Sequence, residues 1–178
     1  MACLSLSKSF KLGCIGEASQ GGISAIGMAI FEYGEIISRP TQGILESLPT
    51  SVTEIYRYEM KNTGNSFSEV SAVDANTRTN TYTGTLTAIL NTLEPEAMDE
   101  LYNLSKGEVY LFCELNSGQI VLLGAKNGSL ASVTTNSGTD TASGQNASIQ
   151  FNSVEPFPFL TLSSTAVADY KSKVVEAV

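Results

Sequence analysis

From residue 77 to residue 87 every second residue is threonine: Thr77, Thr79, Thr81, Thr83, Thr85 and Thr87. A helix would scatter these side chains around its axis, whereas a strand lines them along one face. The residues between them, Arg78, Asn80, Tyr82, Gly84, Leu86 and Ala88, turn from polar to apolar on the way to Leu90. The segment is therefore expected to be a long β-strand with a hydroxyl face and an opposite face that becomes increasingly apolar. Regular threonine ladders can bind ice, but that needs a flat array over several strands. A single run favours the ordinary strand.

The remainder of the chain is also β-rich in character. Of its 178 residues only 16% are charged and 42% are hydrophobic, while Ser, Thr, Asn and Gly are plentiful. This length suits one domain that can bury most of its apolar surface. Ile23–Phe31 follows Gly21-Gly22 and contains glycine itself, which favours one or two strands over a helix. Glu54–Met60 alternates, and Asn62-Thr63-Gly64-Asn65 supplies turn chemistry. Phe67–Val73 is accordingly expected to return antiparallel to Glu54–Met60 as a hairpin. Glu108–Leu115 and Gln119–Ala125 form a second hairpin candidate around Asn116-Ser117-Gly118, apolar enough to be the sheet core.

One helix is expected at about 94–106. Thr92 or Glu94 serves as its cap, Pro95 lies in the first turn, Glu96, Asp99 and Glu100 stand near the positive end of the dipole, and Gly107 is the stop. Residues 133–146 are almost wholly small and polar and are expected to be a loop that a neighbouring subunit orders. Ala147–Val154 resumes as a strand, Phe159–Leu162 is a short apolar end, and the segment from Thr165 has the pattern of a short amphipathic helix. The organisation expected is one domain: an N-terminal arm over 1–21, a β core over 22–162 and a C-terminal tail over 163–178.

The chemistry available is narrow. There is no His, which removes Ser-His-Asp triads, imidazole acid–base steps and most catalytic zinc sites together. A formal charge of −8 disfavours a basic nucleic-acid-binding face. The cysteines are Cys3, Cys14 and Cys113, an odd number without a CxxC pair, which is a poor disulfide framework. Cys113 lies in an apolar run and is expected to pack as a buried hydrophobe. Cys3 and Cys14 could bridge, or join a metal with a partner chain.

Leu12-Gly13-Cys14 has the form of a lipoprotein cleavage site, but Lys8 and Lys11 interrupt any apolar core before it. No stretch approaches the roughly 20 apolar residues of a membrane helix. The three Asn-x-Ser sequons, at Asn103, Asn127 and Asn146, carry no weight without secretion. Gly118–Lys126 has the wrong glycine spacing for a phosphate loop and no Ser or Thr after Lys126. Asp74–Arg78 begins like a calcium loop, but Thr79 and Thr85 stand where Gly and Glu are required. No Ser–Lys pair is selected by spacing.

Several stretches, taken in order, resemble a known class of proteins. They are Met1-Ala2-Cys3-Leu4 with Cys14 following, Thr85–Leu93 after the threonine strand, the acidic helix, and Ile120-Val121-Leu122-Leu123-Gly124-Ala125-Lys126-Asn127-Gly128. The Thr- and Gly-rich loop and Ala147–Phe151, ending at Glu155-Pro156, complete the series. The chain resembles tail-tube or tail-ring structural proteins of tailed bacteriophages that infect Bacteroidetes hosts, chiefly over residues 51–156. It departs from them in its first segment and in the tail after Pro158.

The resemblance implies a mainly β fold, an antiparallel β-sandwich or barrel with one flanking α-helix and extended loop and terminal arms. It implies a non-enzymatic subunit without cofactors that closes into hexameric rings and stacks into a tube, in a virion assembled in the host cytoplasm. Its partners would be further copies of itself and other tail proteins such as a terminator, tape measure or baseplate. Genome DNA would pass through the lumen without sequence-specific binding, and no membrane is involved. Acidic residues lining that lumen would keep DNA from sticking. The residues expected to form an inter-subunit arm are Thr134, Thr135, Asn136, Ser137, Gly138, Thr139, Asp140 and Thr141. Other virion positions, such as a head–tail ring, decoration protein or head fibre, are a second structural reading. A surface- or carbohydrate-binding β-module is the alternative of a different class.

Overall fold

The architecture is organised around β6 (Glu108–Leu115), where Val109 to Cys113 are all buried. A strand that is apolar without alternation has to be covered on both faces, and β6 is. In the computed structural model, which describes residues 21–33, 35, 37, 39–60, 64–90, 95–138 and 144–175, it lies at the centre of the inner layer. It pairs antiparallel with β1 (Ile23–Ile30) on one edge and β7 (Ile120–Leu123) on the other. The layer continues from β1 to β3 (Ile55–Glu59) and then, in parallel, to β11 (Val174–Val175). On the far side β7 pairs with β10 (Leu160–Leu162), and β10 pairs in parallel with β2 (Ile44–Leu45).

The second layer is antiparallel throughout, in the order β8 (Ser129–Asn136), β9 (Asn146–Glu155), β5 (Thr79–Leu90) and β4 (Ser66–Asp74). It joins the first at a corner where only Glu108 and Val109 of β6 face Leu130 and Ser129 of β8. The eleven strands among the described residues form one open sheet folded over on itself, a mainly β, sandwich-like fold as expected.

Two apolar clusters follow from the alternation along β6 and β7. Leu111, Cys113, Val121 and Leu123 point between the layers and meet Leu86, Ala88, Ile149 and Phe151 of the outer sheet. Tyr110, Phe112, Ile120 and Leu122 point the other way, where Leu45, Leu48, Val52, Phe157 and a C-terminal helix cover them. Cys113 is the buried hydrophobe expected. Burial, with Glu114 next to it, pushes its thiol up to about 12, so it stays protonated and inert.

That helix, α2 (Ser164–Lys173), starts at Ser163, whose Oγ accepts from the Ala166 amide at 3.3 Å, and carries Lys171 and Lys173 in its last turn. Ala166 and Tyr170 are its buried side chains. The Tyr170 hydroxyl donates to Glu114 Oε1 at 2.8 Å, and Arg57 grips the same carboxylate with Nε at 2.8 Å and Nη2 at 3.0 Å. Burial alone would raise the Glu114 pKa. Arg57 and Tyr170 outweigh it and hold the group below the usual carboxylate value.

Three expectations need correction. Glu54–Met60 and Phe67–Val73 do not form a hairpin: β3 is flanked by β1 and β11, and β4 pairs with β5 instead. The reversal lies at Asp74, whose Oδ1 accepts from the amides of Asn76 (2.8 Å) and Thr77 (3.3 Å), with Arg78 at a φ of 56°. The small-polar stretch is not all loop, because Val133 to Asn136 complete β8 opposite Asn146 to Ile149. The C-terminal segment is not a free arm through residue 175, because α2 and β11 dock on their own core. The helix expected at 94–106 is α1 (Pro95–Leu104). Its expected caps Thr92 and Glu94 lie outside the described residues, as do the turn residues Asn62 and Thr63, residues 1–20 with Cys3 and Cys14, and residues 176–178.

Candidate assembly surfaces

The alternation that buries one face of the outer sheet exposes the other. Register places Ser68, Thr85, Asn152 and Leu130 in one row across β4, β5, β9 and β8, and Ser66, Thr87, Gln150 and Ser132 in the next. Val70, Thr83 and Val154 make a third row. In the first row the Thr85 hydroxyl donates to Asn152 Oδ1 at 3.2 Å. Leading towards the β4–β5 turn, Ala72 faces Thr81 and Asp74 faces Thr79. Asp74 is thus the one charged side chain on this face among the described residues. Between the hydroxyls and amides stand three aliphatic side chains that are more than half exposed: Val70 at 65%, Leu130 at 56% and Val154 at 53%.

Two features of this face suit it to contact with another protein. Among the described residues β4 is the last strand of its layer and pairs only with β5, over nine residues, and it contains neither Lys nor Pro, the residues that commonly blunt an edge. Beyond Val70 the β4–β5 ribbon leaves the core. Every residue from Ser71 to Thr81 is exposed, including Val73 at 73%. A two-stranded ribbon that covers no core of its own is marginal alone.

Of the expected arm residues, the structure places Thr134, Thr135 and Asn136 at the end of β8, opposite Ser148, Ala147 and Asn146. Ser137 and Gly138 follow, and the Gly138 amide donates to Asn136 Oδ1 at 2.9 Å. Thr139, Asp140 and Thr141 lie outside the described residues. The segment therefore leaves the sheet at the same layer as the hydroxyl face, and Thr134 and Asn136 share that face. Reading the threonine run alone missed Ser66, Ser68, Gln150 and Asn152. For Gln150 and Asn152 the signal was present as strict alternation in Asn146-Ala147-Ser148-Ile149-Gln150-Phe151-Asn152.

A separate apolar groove runs beneath α1. It encloses about 250 Å³ among Met28, Ile30, Tyr56, Leu101, Leu104 and Val109. Ile30 and Tyr56 are open to solvent along it. Its charged lining is acidic: Glu100 and Glu108 line it, and Tyr56 on its wall donates to Glu54 at 3.1 Å. Lys106, two residues past α1, lies over the ring of Tyr102, which lines a shallower groove with Ala131 and Val133.

Two carboxylates elsewhere, buried Glu155 and the more open Glu35, hold backbone rather than a reaction centre. Glu155 Oε1 accepts from the amides of Lys126 (3.0 Å) and Asn127 (2.9 Å), fixing the turn after β7, and burial raises its pKa. Glu35 accepts from the amides of Thr50 and Ser51 at 2.6 and 2.8 Å, and these bonds lower its pKa to about 2. No group of three or more metal-ligating side chains occurs among the described residues, and no helix among them is long and apolar enough to cross a membrane. Neither a family model nor a curated protein nor a solved structure matches the chain.

Proposed function

We propose that this protein is a structural subunit of a bacteriophage virion, a tail-tube or tail-ring protein that assembles with copies of itself. The observation that carries the reading is the open β4 edge beside a hydroxyl face on which Asp74 is the one charge among the described residues. A nine-residue strand without Lys or Pro, backed by exposed Val70 and Val73, is a template for sheet continuation. Closing a ring through such edges removes them from solvent, and a heterologous contact of this kind generates rings when the rotation closes. The sequence resemblance points the same way.

In this reading the hydroxyl face of β4, β5, β9 and β8 turns to the lumen. That replaces the idea of an acidic lining with one that has almost no fixed charge. Phosphates are held on proteins chiefly by Lys and Arg, so a surface of Thr, Ser, Asn and Gln lets DNA slide without strong attraction or repulsion. The many acidic residues then serve outer and inter-subunit surfaces.

The test is electron microscopy of the purified protein together with light scattering. Rings or tubes of uniform diameter support the reading. A protein that stays strictly monomeric at high concentration refutes it, and glycan binding by that monomer would favour a carbohydrate-binding module.

A further inference from the structure

We infer that the groove beneath α1 receives the N-terminal segment of a second copy of this chain, with Leu4, Leu6, Phe10 and Leu12 entering it. The inference rests on the homo-oligomeric reading above and adds to it the identity of one inter-subunit contact.

Chemical complementarity identifies the occupant. The groove is lined by aliphatic and tyrosine side chains, with Glu100 and Glu108 as its charged lining. An occupant should therefore be apolar at alternate positions and basic. In a chain of net charge −8, residues 1–16 contain Lys8 and Lys11 and no acidic residue. Leu4, Leu6, Phe10 and Leu12 fall at even-numbered positions with Lys8 among them, so an extended backbone would put four apolar side chains and one lysine on one face. The chain's other segment combining apolar residues with paired lysines, around Val167, Tyr170, Lys171 and Lys173, is already docked as α2.

The place where the segment joins the molecule suits a contact between stacked copies. The described chain begins at Gly21, whose carbonyl accepts from Asn116 Nδ2 at 2.9 Å beside the β6–β7 turn. The groove opens at the other end of β1, at Ile30 and Val109, about 24 Å away at the usual rise per residue. The segment thus joins the molecule at the end opposite the groove. When copies stack head to tail, the first end of one faces the second end of the next, which is the heterologous arrangement of a stacked tube.

The native cysteines allow a test on the full chain, since Cys3 and Cys14 bracket the apolar positions and Cys113 is buried. Asn103→Cys places a thiol on the groove lining, and Asn76→Cys at the β4–β5 turn serves as background. Isotopically heavy and light copies of each variant are mixed at low concentration, allowed to associate, treated with a short bismaleimide and mapped by mass spectrometry.

Heavy–light links from residue 103 to Cys3 or Cys14, above the residue 76 background, are expected. They should fall about tenfold when Glu100→Lys and Glu108→Lys are added, because like charges then meet. Links found only within one isotope, or none above background, overturn the inference. Micrographs of the same samples keep the two readings apart. Rings without heavy–light links refute the docking and spare the tube, whereas heavy–light links without rings refute the tube and spare the docking.

Discussion

Replacing Gly27 by alanine should cost this fold much more than one methyl group suggests. Gly27 lies in β1, and a Cβ there would sit 2.5 Å from the Tyr170 hydroxyl oxygen, 3.0 Å from Tyr170 Cε2 and 3.0 Å from Ile55 Cγ2. Tyr170 has nowhere to go. It is 1% exposed and its ring centroid is 5.2 Å from that of Phe112. Overpacking of this kind costs about 1–3 kcal/mol. Moving the Tyr170 hydroxyl away from Glu114 forfeits a hydrogen bond to a charged acceptor, worth about 1.5–3 kcal/mol.

Losing a strand glycine returns about 0.5–1 kcal/mol of backbone entropy. The net is a destabilisation of about 2–5 kcal/mol, or about 5–15 °C in Tm for a chain of this size. The assay is urea unfolding followed by circular dichroism, because the chain has no tryptophan. Tyr170→Phe removes the clashing oxygen, so the Gly27→Ala/Tyr170→Phe double variant should be at least about 1 kcal/mol more stable than additivity predicts. A Gly27→Ala protein within about 0.5 kcal/mol of the parent, or strict additivity of the pair, would refute the reasoning.

Other expectations are shorter to state. Glu155 has its pKa raised by burial, so the folded state holds the proton more tightly than the unfolded chain. Stability from this group is full below pH 4.5 and declines as pH rises through the folded value. Glu155→Gln should flatten that decline in urea titrations at successive pH values, and an unchanged slope contradicts the assignment. Glu35 has the opposite sign: its contribution is present above pH 4.5 and lost as pH falls towards about 2, a loss that Glu35→Gln should abolish. Replacing residues 137–145 by Asn-Gly joins the paired Asn136 and Asn146 through a two-residue hairpin turn. The subunit should unfold at the parent midpoint yet stack poorly, and normal stacking in micrographs would eliminate residues 137–141 as an arm.

The parts of this fold legible in the sequence are those whose signal is local. The threonine run announces β5, and Asn116-Ser117-Gly118 between two apolar stretches announces the β6–β7 hairpin, where Gly118 takes a φ of 85°. Pairing between distant segments is not local. Asn62-Thr63-Gly64-Asn65 and Asp74–Arg78 are equally good turn sequences, and only the second joins adjacent strands. The partner that occupies β3 is β1, far earlier in the chain: Met28 faces Tyr56 and Ala25 faces Glu59.

Composition also misled at Val133-Thr134-Thr135, where small polar character suggested a loop. Two of these residues are β-branched threonines beside a valine, and such side chains suit a strand once β9 is there to pair with. The docking of α2 depends on Tyr170 meeting Glu114, 56 residues away. As for the candidate surface, one strand of the hydroxyl face could be read from the threonines. The face itself exists only because register brings Ser68, Thr85 and Asn152 side by side.

The central claim is that the β4 edge joins one copy to the next, and Val70→Lys/Ala72→Lys tests it most directly. Both residues are exposed on the outer face of that edge, so the substitutions should leave subunit stability within about 1 kcal/mol while placing two edge charges against any incoming strand. Sedimentation velocity on parent and variant, with micrographs of the same samples, should show rings or tubes for the parent and folded monomer for the variant. Equal assembly of the two proteins would contradict the account.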